Sequence, residues 1–248
     1  MNNLKEHIVH WISPSFVVGT CMYIYFFDTL GMSHLIAPEY NREFGLIENI
    51  QLLIILAIIF VSCKKLTKAK TKSIKLVFAL ILVGSIFIFL EEIDYGLHYY
   101  DYFIGKSNEQ ISIESLNKTS IRNIHNQGNL LQYLKSLAYI SLGLIVVIPI
   151  ILKRLNYSNK YLNYIVPQHY FIYTILSMTF ITRAALYIDE FLKDNDINSL
   201  NSNVSEFEEV FIYYIVFLYI LEKSTLLLTF DKHRLAKPLT IIQNARND

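Results

Sequence analysis

Six apolar runs, each of roughly 18 residues or more, constrain this chain more than anything else in it. They fall at 14–34, 44–63, 74–98, 129–152, 163–191 and 207–230. A run of that length in lipid has to satisfy its own backbone N–H and C=O groups, and a helix does so within one segment. The pattern predicts an all-α fold: a polytopic integral membrane bundle of about six transmembrane helices, forming a single transmembrane domain over 1–248. Charged residues make up only 17% of the chain, fewer than in a soluble domain of this size.

The charges are segregated along the chain. The 63–75 loop carries Lys64, Lys65, Lys68, Lys70, Lys72 and Lys75 with no acid. The 153–162 loop carries Lys153, Arg154 and Lys160, and the tail adds Lys232, Arg234, Lys237 and Arg246. Basic loops stay on the cytoplasmic side. Six spans then place both termini in the cytoplasm and turn the 35–43, 99–128 and 192–206 segments outward. The only lysine before the first run is Lys5, and no small-residue cleavage site follows. The run therefore reads as a retained span. Cys21 and Cys63 sit in different spans and form no C-x-x-C pattern, which assigns them to packing. No basic stripe with interleaved aromatics points to nucleic acid.

The acids and histidines gather at the outward span ends. Ionisable groups in a membrane are costly and mark function. Glu48 lies about 7–8 Å along the helix from Glu43, with Asn49 and Gln51 beside it. Span three ends in Glu91, Glu92, Asp94 and His98. In a continuous helix, Asp94 and His98 (i, i+4) and Glu91 and His98 (i, i+7) share one face. Carboxylate and imidazole on one face suit a divalent metal. The stretch entering span four groups Asn123, Asn126 and Gln127 around His125, where amides could orient an imidazole. Arg183 in span five could hold an anionic headgroup or pair with a glutamate. Asp189 lies near the same outer end. At the start of span six, Glu206 and Glu208 fit the helix dipole alone, whereas Glu209 is deepest and reaches furthest toward the other acids.

Two short motifs carry a resemblance. Phe89-Leu90-Glu91-Glu92-Ile93-Asp94-Tyr95-Gly96 resembles the GEEISWGQ signature of a set of uncharacterised bacterial multi-spanning membrane proteins. Asn123-Ile124-His125-Asn126 is similar to the NLHN that follows it there. This chain has Leu90, Asp94, Tyr95 and Leu97 where that pattern has Gly, Ser, Trp and Gln. The resemblance implies a bacterial membrane protein and supports Glu91, Glu92, Asn123, His125 and Asn126 as shared features. The architecture is also faintly similar to alkaline ceramidase-like membrane hydrolases, which bind zinc, but their late paired-histidine motif is missing here.

These readings converge on a membrane-embedded, metal-dependent hydrolase or transferase acting on a lipid or lipid-linked substrate at an outward-facing pocket. Glu48, Glu91, Glu92 and His125 would be catalytic. Asn49, Asn123, Asn126, Arg183 and Glu209 would bind substrate. His98, His125, Glu92 and Asp94 would hold a divalent metal, zinc or iron, that activates water. The expected location is a bacterial inner membrane. A proton- or cation-coupled transporter is the alternative, since intramembrane carboxylates serve coupling; no inverted repeat is visible to support it. A non-catalytic assembly subunit, docking a basic partner on the acids, is a third.

Overall fold

The computed structural model describes residues 3–28, 31–37, 45–105, 133, 136–137, 139–140, 143–155, 166–194 and 204–236. Among these residues all regular structure is helical. Four helical segments are long and apolar enough to cross a membrane: Leu4–Phe27, Leu46–Lys68, Lys72–Glu92 and Phe171–Leu192.

The first of these differs from the 14–34 expected from hydropathy. Helix α1 (Asn3–His7) runs through a π turn (Ile8–Ile12) into α2 (Ser13–Phe27). Glu6, His7 and His10 dilute the apolar run, so its true start is hidden in composition. The helix stops at Asp28, which adopts a left-handed conformation with φ 42°. Its carboxylate accepts the Ser33 N–H at 3.0 Å, opening the short helix α3 (Ser33–Ile36).

Helices α4 (Leu46–Lys68) and α5 (Lys72–Glu92) form an antiparallel hairpin joined by a three-residue turn. The lysines sit at the turn and Glu48, Glu91 and Glu92 at the open end. The third span was expected to continue to 98. It ends instead at Glu92, because Asp94 (φ 47°), Tyr95 (φ 54°) and Gly96 (φ 84°) all turn left-handed. Gly96 adopts that conformation without a Cβ penalty, whereas Tyr95 does so at a cost of about 1–2 kcal/mol. The chain resumes as α6 (Leu97–Phe103).

Of span four, the described parts are single positions from 133, a π turn (Gly143–Val147) and α7 (Ile148–Arg154). Helix α8 (Phe171–Asp194) begins later than the 163 expected. Helix α9 (Val204–Ala236) has 33 residues. At 1.5 Å per residue it is about 50 Å long.

Helix α9 is central. It packs along α4 on one side and α8 on the other, and α8 packs against α2. The core joins Val18 and Cys21 of α2, Ile47 of α4, Met178, Ile181 and Ala185 of α8, and Phe207, Phe211 and Ile215 of α9. Buried positions on α4 and α8 recur every three or four residues, as a helix face requires. Cys21 is buried and Cys63 exposed.

Candidate functional site

Helix α9 presents Glu206, Glu209 and Tyr213 at i, i+3 and i+7, which places them on one face. That face meets the open end of the α4–α5 hairpin. The Glu48 carboxyl group lies against that of Glu206, within reach of a hydrogen bond between them, and Glu92 and Glu209 lie within electrostatic range of it. A hydrogen bond between two carboxyl groups requires one proton, since an ionised carboxylate only accepts. Gln51, one turn beyond Glu48, donates its amide to Glu206 Oε2 at 3.0 Å and to the Glu206 carbonyl at 3.2 Å. The Tyr213 hydroxyl donates to Glu92 Oε1 at 2.6 Å. Gln51 is 0% exposed, and its Oε1 meets no hydrogen-bond partner among the described residues. A buried acceptor left in this state is costly. It leaves one unused polar atom beside the carboxyl pair.

Glu91 is buried and accepts from the Tyr95 hydroxyl. That bond ties the left-handed turn back to the last turn of α5. Tyr95 lies beyond the end of α5, and the hydrogen bond to Glu91 holds its phenol above the usual range. Asp94 is buried in the turn itself, and Asp189 is buried near the C-terminal end of α8.

Several expected site residues fall elsewhere. The left-handed turn interrupts the helical register that was to align Asp94 and Glu91 with His98. That basis for a metal face is lost, because three consecutive positive φ angles replace one helical turn. His98 lies in α6, with its side chain outside the described residues. Asn123, His125 and Asn126 also lie outside the described residues. Asn49 is exposed and donates to the Gly45 carbonyl at 2.8 Å. Arg183 is exposed on α8 and makes no hydrogen bond or ion pair among the described residues. Among the described residues no three His, Cys, Asp or Glu side chains form a metal-binding group.

The structure also brings in residues the sequence reading had set aside. Glu206 was explained as a helix-start acid, yet it is the partner of both Glu48 and Gln51. The signal was present in the i, i+3, i+7 spacing of Glu206, Glu209 and Tyr213.

A second polar group occupies the opposite end of the bundle, where the π turn carries buried His10. Thr174 donates to the His10 carbonyl at 2.7 Å, so its single proton is spent. His10 Nδ1 lies 3.3 Å from Thr174 Oγ1 and must then be the donor of that second bond. Nε2 faces Glu6 at 3.6 Å. Nearby, Lys223 donates to the Val166 carbonyl and, at 2.8 Å, to Glu222. Replacing Thr174 by valine keeps the shape but leaves the His10 carbonyl and imidazole short of a partner. The expected cost is about 1–3 kcal/mol, read as a fall in thermal midpoint that Thr174→Ser does not show.

The two polar groups are separated by apolar layers. Between Gln51 and Ser62 the buried residues of α4 are Leu52, Ile55 and Ile58. Between Ser177 and Asp189 those of α8 are Met178, Ile181 and Ala185. The gap along α4 is about 16 Å. Comparison with known protein families, curated proteins and solved structures finds no match to this chain.

Proposed function

We propose that this chain is a membrane-embedded hydrolase or transferase acting on a lipid or lipid-linked substrate. Its bundle would have about six spans in a bacterial inner membrane, with both termini cytoplasmic. The observation that carries this reading is the Glu48–Glu206 pair. Two carboxyl groups sharing one proton offer an acid and a base at adjacent positions, which proton transfer to and from a reacting group requires. Gln51 fixes Glu206, and Tyr213 fixes Glu92, so the oxygens are held in place before substrate arrives. The apolar layers below the pair support a site that opens to one face.

In this proposal a divalent cation, zinc or iron, is held by Glu92 and Asp94 with His98 and His125. It would polarise the substrate or lower the pKa of bound water. Glu92 would offer the cation the oxygen that does not accept from Tyr213. Asn49, Asn123, Asn126, Arg183 and Glu209 would then contact the headgroup, and Glu91 would support Glu92.

A coupled transporter is the second reading, favoured by the His10–Glu6 pair at the far end of the bundle. The apolar layers between the two polar groups weigh against it.

The test is reconstitution in nanodiscs with a panel of headgroup- and acyl-labelled lipids, alongside elemental analysis of the purified protein. Turnover of one lipid class, with one metal per chain and loss on chelation, is the expected result. Turnover that survives chelation would discard the metal and keep the carboxyl chemistry. Absence of turnover together with proton flux in proteoliposomes would replace the enzyme by the transporter.

A further inference from the structure

At the other end of the α4–α5 hairpin, the chain between Glu48 and Glu91 contains no acid, while six lysines crowd into 64–75. Both helices are apolar enough to cross a membrane, so the turn between them lies at a membrane–water boundary. The turn is anchored. Ala69, Ile74 and Phe78 are buried together, with Leu66 and with Leu227 and Leu228 of α9 packed on them. The lysines around it therefore stand on a fixed scaffold.

Helix α5 adds two features. Lys72, Leu76, Leu80, Val83 and Phe87 recur at spacings of four, four, three and four, and all are exposed. They form one lysine-headed apolar stripe running from the turn into the bilayer. No side chain caps the first turn of α5, so its N–H groups face the same boundary and favour an anion. On α4, Lys64 sits 6.0 Å over the ring of Phe60, at the outer limit of a cation–π contact. That places a second ammonium group at the head of an apolar position.

We propose that this turn is a binding site for an anionic phospholipid of the bilayer leaflet it touches. The phosphate would be held by Lys72 and Lys75 at the start of α5 together with Lys64 and Lys68 at the end of α4, and an acyl chain would lie on the Leu76–Phe87 stripe. The lysines and the stripe together select a lipid: the charge excludes zwitterionic neighbours by preference, and the stripe excludes a free anion. The site is at the opposite end of the hairpin from Glu48 and is independent of the reaction proposed there.

The test uses nanodiscs made from equal amounts of phosphatidylglycerol and phosphatidylcholine, with spin-labelled versions of each. Each lysine near an anionic surface contributes about a fivefold preference. The intact protein should immobilise phosphatidylglycerol at least about fivefold over phosphatidylcholine. Lys64→Gln/Lys68→Gln/Lys72→Gln/Lys75→Gln should bring the ratio near one, while arginine at the same four positions should keep it. If the fourfold glutamine variant does not fold, Lys72→Gln/Lys75→Gln should still lower the ratio severalfold. Equal retention of both lipids by the intact protein would overturn the proposal, as would a glutamine variant with unchanged preference. Displacement of the lipid by millimolar inorganic phosphate would also overturn it, since the site would then recognise a free anion.

Discussion

If the proposed reaction holds, Glu48→Gln lowers turnover of its lipid substrate by about 10²–10⁴-fold, the range expected when a positioned acid–base group is lost. The substitution keeps the size of the side chain and its ability to accept and donate hydrogen bonds. It removes the proton that, in the proposed reading, Glu48 would share with Glu206. The loss should fall on kcat, with KM little changed, because in the proposed reaction the pair acts on the reacting bond and other residues hold the headgroup.

The pair also makes a prediction about additivity. If Glu48 and Glu206 share one proton, either glutamine variant removes the same function. Glu48→Gln/Glu206→Gln should then be no slower than the slower single variant, whereas independent groups would multiply their losses. Steady-state turnover of the four proteins in one nanodisc preparation decides between these. A multiplicative loss would show that the two carboxyl groups work separately. Gln51→Leu supplies a further control. It keeps the volume but releases Glu206 from its amide donor, so activity should fall by a smaller factor than with Glu48→Gln.

The all-helical fold, with helices long and apolar enough to cross a membrane, was legible from the apolar runs alone, because length and hydropathy leave lipid-embedded backbone few options. The ends of the runs were less so. Within the first helix Glu6 is half-buried and His10 buried, and hydropathy counts them as solvent-facing residues. The turn at Asp94–Gly96 was hidden for a different reason. Acids at a span end look like helix exits, and only Gly96 announces a left-handed position; Tyr95 gives no such signal. The candidate site was half legible. Glu48 and Glu92 stood out because each is an acid inside or at the edge of an apolar run. Glu206 did not, because an acid at a helix start is already accounted for by the dipole. Its role emerges only when α9 is packed on α4, a long-range contact that no local pattern encodes. The second polar group was invisible in the same way, since Thr174 and His10 are 164 positions apart.

Phe211→Ala lowers stability by about 3 kcal/mol, at the low end of the range for deleting a buried phenyl ring. Phe211 is 0% exposed and lies where α9 meets the rest of the core. In a soluble protein much of the cost would be transfer of the ring from water. For helices that cross a membrane the unfolded reference is itself in lipid, so helix association rests on packing and not on water exclusion. What remains is the cavity and its lost dispersion contacts, and these depend on position and not on hydrophobicity. Phe180 supplies the comparison. It lies on α8, is 75% exposed, and in a membrane would face acyl chains. Phe180→Ala should change stability by less than about 0.5 kcal/mol, the range for substitutions away from packed features. Thermal or denaturant unfolding of both variants in the same detergent gives the two values. A large loss at Phe211 with little at Phe180 is the signature of helices packed around α9. Equal losses at both positions would mean that the face carrying Phe180 is also buried, and that the helix arrangement around α8 differs from the one described here.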